Sequence, residues 1–322
     1  MFEALFVPDE VLAATSDQAF VDAMVEAETA LAKAYGWDLV AGPFDAGVIM
    51  REGRADASPA APLVRRLRAV DRRAHDGATS QDIVDTAMML VAKRARALIL
   101  GELDAIERRC RALAEDHRAT VMAGRTLMQQ ALPITFGNKV EVWRAGVVES
   151  RRRLAEVALT AQLGGAVGTF HDEPVVRRFA AELGLDAPGL AWHANRVRVA
   201  ELAGALELVA GACGKIAHDV ILLAQTEVSE VRVPTGGSTA MRHKRNPASA
   251  VLAVAASRQV APRIDLLGEH ERAAGAWQAE WPQVANALAF TGGTATLVRE
   301  TLDGLEVDAA RMQANLVPGL DG

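Results

Sequence analysis

The 322-residue sequence predicts an all-α protein: a long central helical bundle with a small N-terminal helical domain. Three observations lead there. Aromatic residues make up only 4% of the chain while alanine is abundant, which suits closely packed helices and denies a sheet the β-branched and aromatic residues it favours. Leu202, Leu206, Val209, Cys213, Ile216, Val220 and Leu223 alternate spacings of four and three without a miss, the seam of a packed helix. Hydrophobic residues reach 50%, ample for a core at this length.

Taken in order, residues 1–75 read as the small first domain, with short helices broken by turns. The stretch 20–34 is amphipathic, 41–43 (Ala-Gly-Pro) interrupts, and the proline-containing run 57–62 reads as a loop. Residues 76–305 form the bundle. One helix covers 82–116, and a seam runs through Val140, Trp143, Val147, Leu154, Val157 and Ala161, with Ser150 its one weak position. Further long helices cover the 202–223 seam, 247–269 and 283–301. The 202–223 helix also carries Ala203, Gly204, Ala210, Gly211, Gly214 and Ala217, so it is expected to be buried all round. One thin bundle cannot bury such a helix, which implies that subunits complete each other's core. Residues 306–322 read as a short tail.

The formal net charge is -6, which argues against general binding to nucleic acid. The N-terminal stretch has Glu3, Asp9 and Glu10 and no basic segment leading into an apolar one, and no apolar run is long enough to cross a bilayer. Cys110 and Cys213, the two cysteines, both fall inside helical patterns, which reads as buried thiols in a cytoplasmic, reducing setting without a disulfide framework or zinc site.

Three polar islands interrupt the helical pattern. The most informative is Gly236-Gly237-Ser238-Thr239-Ala240-Met241-Arg242-His243-Lys244-Arg245-Asn246-Pro247. Paired glycines free the backbone, and Asn246-Pro247 reads as an N-cap followed by proline at the first helical position. A helix start and Lys244 together favour a bound anion. From Glu230 to Asp265 there is no acid between, yet Arg232, Arg242, Lys244, Arg245, Arg258 and Arg263 all occur. The other islands are His75-Asp76-Gly77-Ala78-Thr79-Ser80-Gln81-Asp82, a helix N-terminus with a hydroxyl cap, and Gly124-Arg125-Thr126-Leu127-Met128-Gln129-Gln130-Ala131-Leu132-Pro133, a Gly-to-Pro connection.

In this order the islands resemble the fumarase/aspartase superfamily, whose signatures are a Thr-Ser-x-Asp segment, a Gly-Arg-Thr-His-x-Gln segment and a Gly-Ser-Ser-x-Met-Pro-x-Lys-x-Asn-Pro loop. Within it, Trp192-His193-Ala194-Asn195-Arg196 and the run 269–281 (Glu-His-Glu-Arg-Ala-Ala-Gly-Ala-Trp-Gln-Ala-Glu-Trp) are similar to the 3-carboxy-cis,cis-muconate cycloisomerase family of protocatechuate degradation. The resemblance implies a homotetramer whose active sites each draw the three islands from different subunits, a small tricarboxylate substrate, and neither metal nor organic cofactor. It assigns catalysis to Ser238, with Lys244 and Asn246 binding and polarising a substrate carboxylate. It gives substrate contacts to His75, Thr79, Ser80, Thr126, Gln129, Thr239 and Met241. It also implies that a further C-terminal domain would begin near 306–322.

Leu127 stands where carbon-nitrogen lyases of the superfamily place a histidine. General acid-base help is worth roughly 10²–10⁴-fold in rate, and leucine supplies none. A carboxylate tethered within the substrate needs no such help, because intramolecular placement gives an effective molarity of roughly 10⁵–10⁸ M. The expected reaction is therefore lactone formation by intramolecular carboxylate addition. Arg242 in place of the family's proline and Thr239 in place of its serine are departures. They keep two alternatives open: a superfamily lyase for another carboxylate substrate, and a catalytically silent oligomer.

Overall fold

The computed structural model describes residues 2–170, 172–233, 241, 244–261 and 275–318. After a short 3-10 turn at Glu3–Leu5, four helices make the N-terminal part: α1 (Asp9–Ala14), α2 (Asp17–Ala34), α3 (Ala46–Gly53) and α4 (Ala60–Val70). The starts of α2 and α3 have a local cause. Ser16 Oγ accepts from Ala19 N at 3.1 Å to cap α2, and Asp45 Oδ1 accepts from Val48 N at 2.8 Å to cap α3. The run expected to be a loop at 57–62 instead begins α4 at Ala60, because proline in a first turn forfeits no helical hydrogen bond.

The bundle consists of α5 (Ser80–Asp116), α6 (Phe136–Glu156), α8 (Val197–Leu223), α9 (Ala248–Ser257) and α10 (Ala276–Asp303), with α7 (Glu173–Leu183) resting on α2 between them in sequence. α5 packs on α6, α10 and α2, while α8 packs on α6, α9 and α10. All seven seam residues of α8 are buried. α9 comes so close to α8 that a Cβ on Gly214 would lie 2.5 Å from Ser257 Oγ, so only glycine fits there. Cys110 and Cys213 are buried free thiols, both pushed up to about 12, chiefly by burial.

The all-α expectation holds, with two small additions. β1 (Val121–Thr126) and β2 (Gln129–Thr135) form an antiparallel hairpin ahead of α6, and β3 (Val231–Arg232) pairs antiparallel with β4 (Glu306–Val307). The final helix, α11 (Ala309–Ala314), packs against β1 and buries Met312 in the main core.

Several expected boundaries move. α6 stops at Glu156, so Val157 and Ala161 lie beyond it, still buried, with the Val157 carbonyl held by Arg96 Nη1 at 2.6 Å. Ser150, the weak seam position, is buried with its hydroxyl donated to the Val147 carbonyl. α10 starts seven residues before the expected Gln283 and runs through Pro282. α9 ends at Ser257, and residues 262–269 of the expected longer helix lie outside the described residues. Within the single chain, Glu201, Leu208, Gly211 and Lys215 of α8 are exposed on one stripe, the face that the expected subunit contacts would cover.

One buried polar cluster ties three bundle helices together. Arg196, which caps α8, donates to both oxygens of Asp85 on α5 at 2.8 and 3.0 Å and to Glu280 on α10 at 2.6–3.1 Å. Trp277 Nε1 donates to Asp85 at 2.9 Å, and the Trp192 ring lies 5.0 Å from the guanidinium. Among the described residues, no helix is long and apolar enough to cross a membrane.

Candidate functional site

The first island becomes the loop and N-terminus of α5. Thr79 is the N-cap and Ser80 the first helical residue, and Thr79 N donates to Asp82 Oδ2 at 2.8 Å in a capping box. Asp82 does more than cap. Fully buried, it also accepts from Gly164 N at 2.8 Å, Gly165 N at 2.9 Å and His193 Nε2 at 2.6 Å. One carboxylate therefore joins the start of α5, the 164–165 turn and the segment before α8. His75 precedes this start with φ 64 and places Nδ1 2.6 Å from Glu28 Oε1.

The second island, expected as a Gly-to-Pro connection at a helix mouth, is the β1–β2 hairpin. Arg125 pairs with Gln130 and Thr126 with Gln129, leaving Leu127 and Met128 as a two-residue turn with φ 49 and 63. That is the geometry usually given to Asn-Gly. Here it holds two bulky apolar residues, and Leu127 is 96% exposed. Left-handed backbone at such residues is strained, and strain of this kind concentrates at functional sites. The hairpin is anchored by Arg125, which donates to both oxygens of buried Glu230 at 3.0 and 2.6 Å, and by Asn315 Nδ2 on the same carboxylate at 2.9 Å. Thr126 and Gln129 are exposed at its end. Beside it lies a groove of about 420 Å³ that reaches Lys139, Asp219 and Gln225.

In the third island Ser238 and Thr239 lie outside the described residues, as does Arg242. Met241 and Lys244 are exposed, with Lys244 N donating to the Met241 carbonyl at 3.1 Å. The helix begins one residue later than expected: Pro247 is the N-cap of α9 with no side-chain cap, and the Asn246 carbonyl accepts from Ala248 N at 2.8 Å. Lys244, Arg245 and Arg258 form no ion pair with a described residue, whereas Arg232 is paired with Asp308 at 3.2 Å across β3–β4. The local basic excess is thus partly offset by an acid from far along the chain.

Arg125 and Gln130 of the second island bond to Glu230 and Asn315 rather than to the first island. No group of three or more His, Cys, Asp and Glu side chains among the described residues is placed to hold a metal ion. Sequence reasoning gave no role to Glu28, Asp82 or His193, although the last two stand in quoted motifs. Signals for two of them existed: Asp82 stands three residues after a Thr cap, and Glu28 interrupts the buried stripe of Val21, Met24, Ala27 and Leu31 on α2.

Residues 48–261 match a protein family described as lyase. The chain is 42% identical to a nitrosuccinate lyase of Streptomyces davaonensis, over 95% of this chain and 74% of that protein. It is 38% identical to a 3-carboxy-cis,cis-muconate cycloisomerase of Bradyrhizobium diazoefficiens, over 94% and 76% respectively. Among solved structures, a 3-carboxy-cis,cis-muconate lactonizing enzyme from Pseudomonas putida superposes with a TM-score of 0.90 at 33% identity, covering 98% of this chain and 79% of that one.

Proposed function

Because this chain belongs to the lyase family of the fumarase/aspartase superfamily, we propose that it cyclises 3-carboxy-cis,cis-muconate to a carboxymuconolactone in aromatic-compound degradation. The observation that carries the reading is Leu127, an exposed hydrocarbon at the tip of a strained hairpin. It stands where related carbon-nitrogen lyases need a proton-transferring imidazole. A chemistry that keeps leucine there has an attacking or leaving group that needs no proton. In lactone formation that group is the substrate's own carboxylate.

In this reading Lys244 and the positive end of α9 stabilise the enolate-like charge as the carboxylate adds to the double bond. Ser238 then delivers the proton to carbon, and acts as base in the reverse direction. His75, Thr79, Ser80, Thr126, Gln129, Thr239, Met241 and Asn246 contact the tricarboxylate. The site is assembled in a cytoplasmic homotetramer. One feature supports assembly: α6 and α8 expose hydrocarbon, with Val142 58% and Leu208 51% accessible.

A second reading is favoured by the 42% identity to nitrosuccinate lyase. A nitro group would depart as nitrite, a weakly basic anion that also needs no proton, so Leu127 is compatible with this elimination too. Incubation with 3-carboxy-cis,cis-muconate, following loss of the conjugated-diene absorbance, separates the two when run beside nitrosuccinate with nitrite detection. Diene loss that falls more than tenfold in Ser238→Ala, with folding intact, is the expected result. Nitrite release without diene loss replaces the cycloisomerase by the lyase, and a silent tetramer removes both.

A further inference from the structure

Glu28 occupies a place on α2 that its neighbours would give to a hydrocarbon, since Val21, Met24, Ala27 and Leu31 beside it are all buried. Its carboxylate is buried with them. Oε2 has no hydrogen-bond partner, and Oε1 has one among the described residues, His75 Nδ1 at 2.6 Å. Burying a carboxylate is costly, and leaving one of its oxygens unmatched adds to the cost. Packing alone does not account for such a residue.

The imidazole it holds is unusual in turn. His75 adopts a left-handed backbone, and the adjoining Gly77 is also left-handed, with Tyr35 Oη so near that a Cβ there would lie 2.4 Å away. This braced loop runs into Thr79 and Ser80 at the mouth of α5. A carboxylate can only accept, so Nδ1 carries the hydrogen between them. Nε2 forms no hydrogen bond to a described residue and is left for a ligand.

We propose that Glu28 is the positioning residue of the substrate site: by taking Nδ1–H it fixes the tautomer and aim of His75, so that Nε2 faces the substrate beside Thr79 and Ser80. The proposal rests on the reading that the 75–80 loop binds the substrate. Its test therefore keeps the two apart.

Glu28→Gln preserves an acceptor oxygen without the charge, and Glu28→Ala removes both. The ¹⁵N spectra of histidine-labelled protein, with His75 assigned by its loss in His75→Asn, report which ring nitrogen is protonated. Calorimetry with tricarballylate, a saturated tricarboxylate, reports binding without turnover. Wild type should show Nδ1–H at His75. Glu28→Ala should lose that pattern and weaken tricarballylate binding about tenfold or more, with KM rising and kcat nearly kept, while Glu28→Gln falls between. An unchanged ¹⁵N pattern in Glu28→Ala, or in Glu28→Gln should Glu28→Ala fail to fold, combined with unchanged affinity, overturns the proposal. Wild type that binds no tricarboxylate sinks the substrate reading alone, and the ¹⁵N pattern then decides the role of Glu28.

Discussion

Replacing Arg196 by methionine is the sharpest perturbation the bundle offers. The guanidinium is 7% exposed and directs hydrogen bonds of 2.6–3.1 Å at two carboxylates, Asp85 and Glu280, that are themselves buried. Methionine fills much of the volume but leaves both acids without a cation. Breaking a buried pair from one side costs about 3–5 kcal/mol, which at about 2–4 °C per kcal/mol corresponds to a fall in melting temperature of about 10 °C.

The loss also has a predictable pH dependence. Burial raises the Glu280 carboxyl above its ordinary range, and Arg196 acts to lower it. An acid whose folded-state pKa lies above its unfolded value adds stability below the unfolded value and loses that contribution as pH rises through the folded one. Without Arg196 the Glu280 carboxyl shifts further up and is protonated in mild acid, which relieves part of the buried charge. The gap between wild type and Arg196→Met should therefore be widest at pH 7–8 and narrow toward pH 5. Thermal unfolding across that range, with Arg196→Met/Glu280→Gln recovering part of the loss, is the measurement. A loss under about 1 kcal/mol, or one that widens on acidification, refutes the reasoning.

Other outcomes are expected from the same structure. Asp82→Asn puts an amide where four donors converge, from Thr79, Gly164, Gly165 and His193; melting should reveal a cost of about 1–3 kcal/mol, and an unchanged melting curve would contradict the joining role of Asp82. Asp219 is raised by burial, but Lys215, Trp143 and Lys139 together pull its carboxyl below the ordinary value. Its contribution to the α6–α8 contact is therefore full above the unfolded value of 3.8 and fades as pH falls through the folded one. The gap between wild type and Asp219→Asn should then hold steady above pH 3.8 and close as the pH falls below it, and a gap that stays constant in strong acid removes the pair from that contact.

Much of the fold was legible because periodicity is a local property. The seam on α8 alternates four and three along its whole length, and each of those side chains is buried. Boundaries were less legible where a tolerated exception mimics a stop. Pro62 lay in an expected loop and Pro282 just ahead of the helix expected at 283–301, yet the first sits in the opening turn of α4 and the second lies inside α10. The hairpin at 121–135 was hidden because no residue at its tip has turn chemistry. Leu127 and Met128 adopt left-handed backbone against their own preference, held there by strand pairing and by Arg125 on Glu230.

The sequence by itself determined the helical class, the core seams and three polar segments whose order marks the superfamily, since each depends on residues close together along the chain. Only the tertiary structure decided which distant side chains meet: Glu28 with His75, Asp82 with His193, and Arg196 with Asp85 and Glu280. The physical reason is separation. Hydrogen bonds and charge pairs depend on distances of a few ångströms, and for partners 47 to 111 residues apart those distances exist only once the bundle has packed.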